Sequence, residues 1–211
     1  MGKIKQGILG GFSGKVGPVV GSSWKGKAVM KAMPLSVHNP NTVAQQEQRA
    51  KFALVGKFIA IITGFVAVGF RKKAVGITAQ NAAMATNLGD AVTGDFPNYS
   101  LAMDKVLVSD GKIDLPYNPG ATVDSGTLTF TWADNTGRGD ALADDQVMIL
   151  VYNPTVKQSV YTTALAARST RTAELACPTA WSGNQVHVYF AMRRESTGDT
   201  SISTYLGDFT L

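Results

Sequence analysis

The run Gly21-Ser22-Ser23-Trp24-Lys25-Gly26-Lys27 has the G-x-x-x-x-G-K spacing of a phosphate-cradling loop. That chemistry needs a hydroxyl directly after the lysine to bind magnesium, and Ala28 stands there. It also needs a buried strand before the loop and a helix after it. Residues 1–20 are too glycine-rich for such a strand, and Met33–Pro34 closes off a helix. Nucleotide binding is not the reading of this stretch. The two histidines, His38 and His187, have no Cys, Asp or Glu beside them at triad or metal-ligand spacing. The oxygen-rich segment Asp134–Asp140 lacks the later glutamate of a calcium loop, so it reads as a solvated hairpin loop. Its Arg138-Gly139-Asp140 triplet reads as a chance match rather than an adhesion signal. The remaining acids are mostly Asp in turns, where they bend and cap backbone. No catalytic, cofactor or metal site is expected, and the chain reads as a non-enzyme.

The residues left to do chemistry are basic. Residues 1–75 carry ten Lys and two Arg against one acid, Glu47, a balance of +11; residues 76–211 carry eight basic and fourteen acidic residues, a balance of −6. Such asymmetry points to an electrostatic partner for at least one half. The candidate contact residues are Phe12, Lys15, Trp24, Lys25, Lys27, Lys31, Arg71, Lys72 and Lys73. The favoured partner is the acidic half of another copy, giving a homo-oligomer; other structural proteins of the same particle are a further class. Nucleic acid is the weaker alternative, since only Phe12 and Trp24 add aromatic rings to the basic residues. The single cysteine, Cys177, excludes an intrachain disulfide and reads as a small core hydrophobe.

Three kinds of element must position these residues. Eight of the first 31 residues are glycine, with β-branched residues between them. Val16, Val19 and Val20, then Trp24, Ala28 and Met30, predict two short extended pieces around a turn at 21–23. Thr42 with Gln45 forms a capping box and opens a helix over 43–62, with Gly64 as its stop. Phe58–Phe70 is an uncharged run of 13 residues, short of the roughly 20 that span a bilayer. It is expected to be buried, and membrane contact is not. A second helix is predicted over 78–90, with Asn81 and Asn87 bonding a loop or arm backbone. From Tyr99 onward, turn signals separate strand-like runs: 105–109, 127–132, 146–152, 159–164, 172–177, 185–193 and 202–211. Seven short strands at this spacing are the pattern of an immunoglobulin-like or fibronectin-III-like sandwich, with Trp132 and Trp181 as core anchors. Along Gln185–Arg193, Val186, Val188 and Phe190 share one face, and His187, Tyr189 and Ala191 the other.

The stretches "GILGGFSGKVGPVVGSSWKGK", "NPNTVAQQEQRAKFALVGKF", "NAAMATNL" and "ISTYLGDFTL" together resemble a family of proteins of unknown function from Bacteroidota and phage-associated regions. The resemblance runs over nearly the whole chain and implies no activity, cofactor or site residue. The expected fold class is α+β: an N-terminal extended β-arm or hairpin over 1–41, a helical segment over 42–98 and a C-terminal Ig/fibronectin-III-like β-sandwich over 99–211. The expected function is structural: a self-assembling component of a virion or other particle, joined through its N-terminal arm. With no signal-peptide pattern, the chain is otherwise expected in the cytoplasm. The alternative is a binding module whose sandwich recognises a glycan or surface protein.

Overall fold

The computed structural model describes residues 3–4, 10–24, 26–36 and 40–211. Lys25 and His38 lie outside the described residues. The chain divides into two compact units, Met1–Thr42 and Val43–Leu211. The fold mixes α-helices with four antiparallel sheets.

The first unit is a meander of β1 (Lys3–Ile4), β2 (Phe12–Val16), β3 (Val19–Trp24) and β4 (Lys27–Ala32), hydrogen-bonded in that order. The expected turn at 21–23 is corrected: Gly21 lies inside β3, paired with Gly14 on one side and Met30 on the other. The chain reverses instead at Gly17–Pro18 and around Gly26. Gly17 takes φ of 55°, which the first position of a two-residue hairpin loop demands, and Pro18 fixes the second.

The second unit opens with α1 (Val43–Ile61), α2 (Thr63–Gly69) and α3 (Ala79–Asp90). Gly64 is not a stop. The helix breaks at Ile62, and α2 leaves at 89° to α1. Thr63 marks the corner, its hydroxyl donating to the Ile59 and Ala60 carbonyls at 3.0 and 3.1 Å. The corner turns Phe65, Val66 and Phe70 into the same core as Phe58, Ile59 and Ile62. The large side chains of the apolar run are thus buried, as expected, while Ala60, Thr63, Gly64 and Ala67 are exposed. Among the described residues no single helix is long and apolar enough to cross a membrane.

Beyond α3 come the short pair β5 (Val92–Thr93) and β6 (Ser100–Leu101), then β7 (Tyr117–Asp124), β8 (Thr127–Ala133), β9 (Gln146–Asn153), β10 (Gln158–Thr162), β11 (Thr172–Ala176), β12 (Gln185–Arg193) and β13 (Thr204–Thr210). One sheet runs β11-β8-β7 and another β10-β9-β12-β13. Six of the seven expected runs fall on β8 to β13. The seventh, Lys105–Ser109, joins no sheet. Side chains satisfy its backbone instead: Leu107 N–H donates to Asn87 Oδ1, and Asn87 Nδ2 donates to the Leu107 carbonyl, both at 2.8 Å. Val108 N–H donates to Ser203 Oγ at 2.9 Å. Asn87 therefore does bond a loop backbone, whereas the Asn81 side chain is exposed. The first strand of the two larger sheets is β7, where the turn signal Asn118–Gly120 proves to be a bulge with Asn118 at φ of 50°.

The sheet β10-β9-β12-β13 is covered on both faces. Val147, Ile149, Val151, Val186, Val188 and Phe190 share a core with Leu128, Phe130 and Trp132 of the other sheet and with Trp181. Met148, Leu150, Tyr152, Tyr189 and Ala191 point the other way, into the helical core. This explains why Val147–Tyr152 is an unbroken apolar run rather than an alternating one. The edge-to-face pair Phe58–Tyr152, 5.0 Å between centroids, joins α1 to that sheet. Tyr189 Oη donates to the Met103 carbonyl, in the segment after β6, at 2.8 Å, and its burial raises the phenol's pKa, keeping it neutral.

Asp134–Asp140 is not a hairpin loop, because β8 and β9 belong to different sheets. It begins an inter-sheet crossing fixed by a buried ionic cluster. Arg168, fully buried, donates to Asp145 Oδ2 at 3.1 Å, Asn135 Oδ1 at 2.6 Å, and the Leu142 and Asp114 carbonyls at 3.1 and 2.8 Å. Arg194 donates to Asp145 Oδ1 at 2.8 Å and Asp140 Oδ1 at 3.0 Å. The hydrogen bond to Asp145 raises the Arg194 pKa. Trp132 Nε1 donates to the Arg168 carbonyl at 2.7 Å, tying the β8 anchor to the cluster.

Replacing Asp145 by Ala leaves two guanidinium groups without their shared carboxylate. We expect a loss of about 3–5 kcal/mol in unfolding free energy by urea denaturation, against near-wild-type stability for the exposed control Asp144→Ala. His187 gives a second prediction. Its Nδ1 lies 2.8 Å from Tyr205 Oη, and burial lowers its pKa. The unfolded chain takes up the proton near pH 6.5, the folded chain only at lower pH, so acidification favours unfolding. Melting temperature should decline below about pH 6.5, and His187→Gln should flatten that decline.

Candidate assembly surface

The register of the meander sorts its side chains onto two unlike faces, because residues paired across antiparallel strands share a face and successive residues alternate. Gly14, Gly21 and Met30 pair in one row, and Val16, Val19 and Ala32 in the next. Phe12, Ser23 and Ala28 fall on this same face. Among the described strand residues it carries no charge. The other face holds the row Lys15–Val20–Lys31, the pair Ser22–Val29 and the pair Trp24–Lys27. The described strand lysines of β2 and β4 therefore all project to one side.

The apolar face is partly closed by its own residues. The Phe12 ring lies against Gly21, where any Cβ would collide with the ring and with the Phe12 carbonyl. Glycine is required there by close approach, although the position is in mid-strand. Beyond Phe12 the face stays open: Val16 is 54% exposed and Met30 68% exposed. A shallow depression of about 100 Å³ is lined there by Gly10, Gly11, Phe12, Ala28 and Met30, with Val29 between the last two. A broader depression of about 360 Å³ is lined by Ser22, Trp24, Val29 and Lys31 of the lysine face together with Ser23, and Trp24 is 66% exposed.

β4 is an edge strand. Met33 N–H donates to the Pro18 carbonyl at 2.7 Å, which fixes the alternation of inward and outward backbone groups. By that alternation Val29 and Lys31 turn their N–H and C=O toward β3, while Ala28, Met30 and Ala32 turn theirs outward.

The expected contact residues thus separate into groups. Phe12 stands on the apolar face, and Lys15, Trp24, Lys27 and Lys31 stand together on the opposite one. Lys25 lies outside the described residues. Arg71, Lys72 and Lys73 belong to the second unit, just after α2. Two of them face acids of their own chain: Lys73 Nζ is 2.8 Å from Asp110, and Lys72 Nζ is 3.6 Å from Asp199. The Thr197 hydroxyl, with Lys72 beside it, lowers the Asp199 pKa. The open apolar residues Val16 and Met30, with half-buried Val19 beside them, were not among the expected contacts. The alternation in "KAVMKA" announces two faces, but which residues of β2 and β3 join each face follows only from the cross-strand register. The phosphate-loop spacing falls on a strand and the hairpin after it, with no helix following. Among the described residues no group of three or more His, Cys, Asp and Glu could hold a metal ion.

A meander joined to a two-core body of helices and strands is what the chain presents. It belongs to the family of unknown function DUF6266, whose model matches residues 11–207. The match takes in strands of both units. No curated protein matches the chain.

The Phe12–Gly21 contact is testable. Gly21→Ala should force the ring off β3 and loosen the meander. Limited proteolysis should then cut within residues 10–36 at least tenfold faster, leaving the second unit's melting temperature unchanged; Ser23→Ala, on the same face, should not.

Proposed function

We propose that this protein is a structural subunit that assembles through its first unit, the apolar face of the meander seating on the same face of a second copy. The observation that carries this reading is the uncharged face on which Val16 and Met30 stand more than half exposed. A single sheet must bury an apolar face against another layer, and among the described residues of the unit there is no second layer. The charge arrangement favours a second copy as the occupant. With Lys15, Lys27 and Lys31 on the far side, two apolar faces can meet about a two-fold axis without bringing like charges together. The outward backbone groups of Ala28, Met30 and Ala32 offer a second route, strand addition at the β4 edge. A contact set by apolar packing suits a repeating particle component such as that of a virion. It depends less on head-to-tail charge than the raw asymmetry suggested, since Lys72 and Lys73 are already paired within the chain.

We read the second unit as an Ig/fibronectin-III-like sandwich dressed with helices. The strand orders support this: counting from β7, strands one, two and five form one sheet, and three, four, six and seven the other. The shared core of Phe130, Trp132, Ile149 and Phe190 lies between them.

Size-exclusion chromatography with light scattering tests the assembly. The full chain should run above the mass of one copy. Met30→Glu, which places a charge in the contact, should return it to a monomer, while Lys31→Glu on the opposite face should not. A wild-type chain that stays monomeric at high concentration would sink this reading and favour a binding module.

A further inference from the structure

We propose that the lysine face of the meander binds single-stranded nucleic acid, with Trp24 as a stacking platform and Lys15, Lys27 and Lys31 as phosphate contacts. The inference is independent of the assembly reading, which uses the opposite face. The sequence contains no Asp or Glu before Glu47, so the first unit has no carboxylate of its own to answer these lysines. The register gathers them on one side of the sheet, and that side is where Trp24 stands, 66% exposed. Lys15 and Lys31 flank Val20, and Trp24 pairs with Lys27 four residues further along β3, about 13 Å away. Ser22 and Val29 floor the depression between the two rows.

A cationic surface tracking a backbone beside a solvent-exposed aromatic ring is the combination that holds single strands without sequence preference. Duplex nucleic acid fits less well. Its bases are stacked on one another and cannot lie on Trp24, and a flat sheet face has no element of a shape to enter a groove. An acidic protein surface would satisfy the lysines but not the indole, which has a π-face to offer and no carboxylate chemistry.

The test is fluorescence anisotropy of a labelled oligothymidylate titrated with the full-length protein. Three phosphate contacts predict a slope of log affinity against log salt of about −2. Trp24→Ala should weaken binding about tenfold, and Trp24→Phe should recover most of the loss. Lys31→Gln should make the slope shallower by about 0.7. Lys72→Gln, in the other unit, should change nothing, and Trp24→Ala should leave the light-scattering mass as it was. Absence of binding overturns the proposal. So does equal affinity for heparin, poly-glutamate or duplex DNA, or binding indifferent to Trp24; each would mark the face as a general polyanion surface or no site.

Discussion

Asp145 is the carboxylate on which the second unit converges. Its two oxygens accept from Arg168 and Arg194, which belong to the segment before β11 and to the residue just after β12, and from the Leu142 N–H ahead of β9. A buried guanidinium is tolerable only with its charge opposed and its donors filled, and Arg168 fills its own on Asp145, Asn135 and two carbonyls. The cluster therefore does more than pair charges. It decides where the chain crosses from β8 to β9, and so how the sheet carrying Trp132 meets the sheet carrying Phe190. The 5.7 Å approach of those two rings follows from that crossing.

The sheet β10-β9-β12-β13 is the second organising element. Because side chains alternate across a strand, β9 and β12 feed two cores at once. Helices α1 to α3 are the cover that lets the outward row of Met148, Leu150 and Tyr189 be apolar. The right-angle corner at Ile62 follows from the same demand. A straight continuation of α1 would carry Phe65, Val66 and Phe70 past the sheet, whereas the corner keeps all three in the core.

Much of this was legible in the residues. The two longer helices begin and end within a residue or so of the expected positions, because the Thr42–Gln45 pair signals the start of the first and the apolar spacing is helical; that Thr78 caps α3 came only from the structure. Six strands were legible because β-branched and aromatic runs are bounded by turn residues. Lys105–Ser109 has the same composition but joins no sheet, since its partners are the side chains of Asn87 and Ser203, far away in sequence. Asn118–Gly120 reads as a turn from its residue types and becomes a bulge from its pairing. The buried ionic cluster was invisible: Asp145, Arg168 and Arg194 are ordinary surface residue types, and only their convergence makes them interior. In the first unit the basic character was plain, but the separation of lysines from apolar residues depends on which residue of β2 faces which of β3, and a shift of one would invert it.

The shared sheet also bears on how this architecture could be rearranged. A recombination event that lifted out residues 99–211 as a ready-made β module would strip away the helical layer. Met148, Leu150, Tyr152, Tyr189 and Ala191 would then face water as a contiguous greasy wall. Such a transplant would have to be repainted with polar residues along one side of β9 and β12 before it could stand alone. Helices and strands of this body are bound to be inherited together.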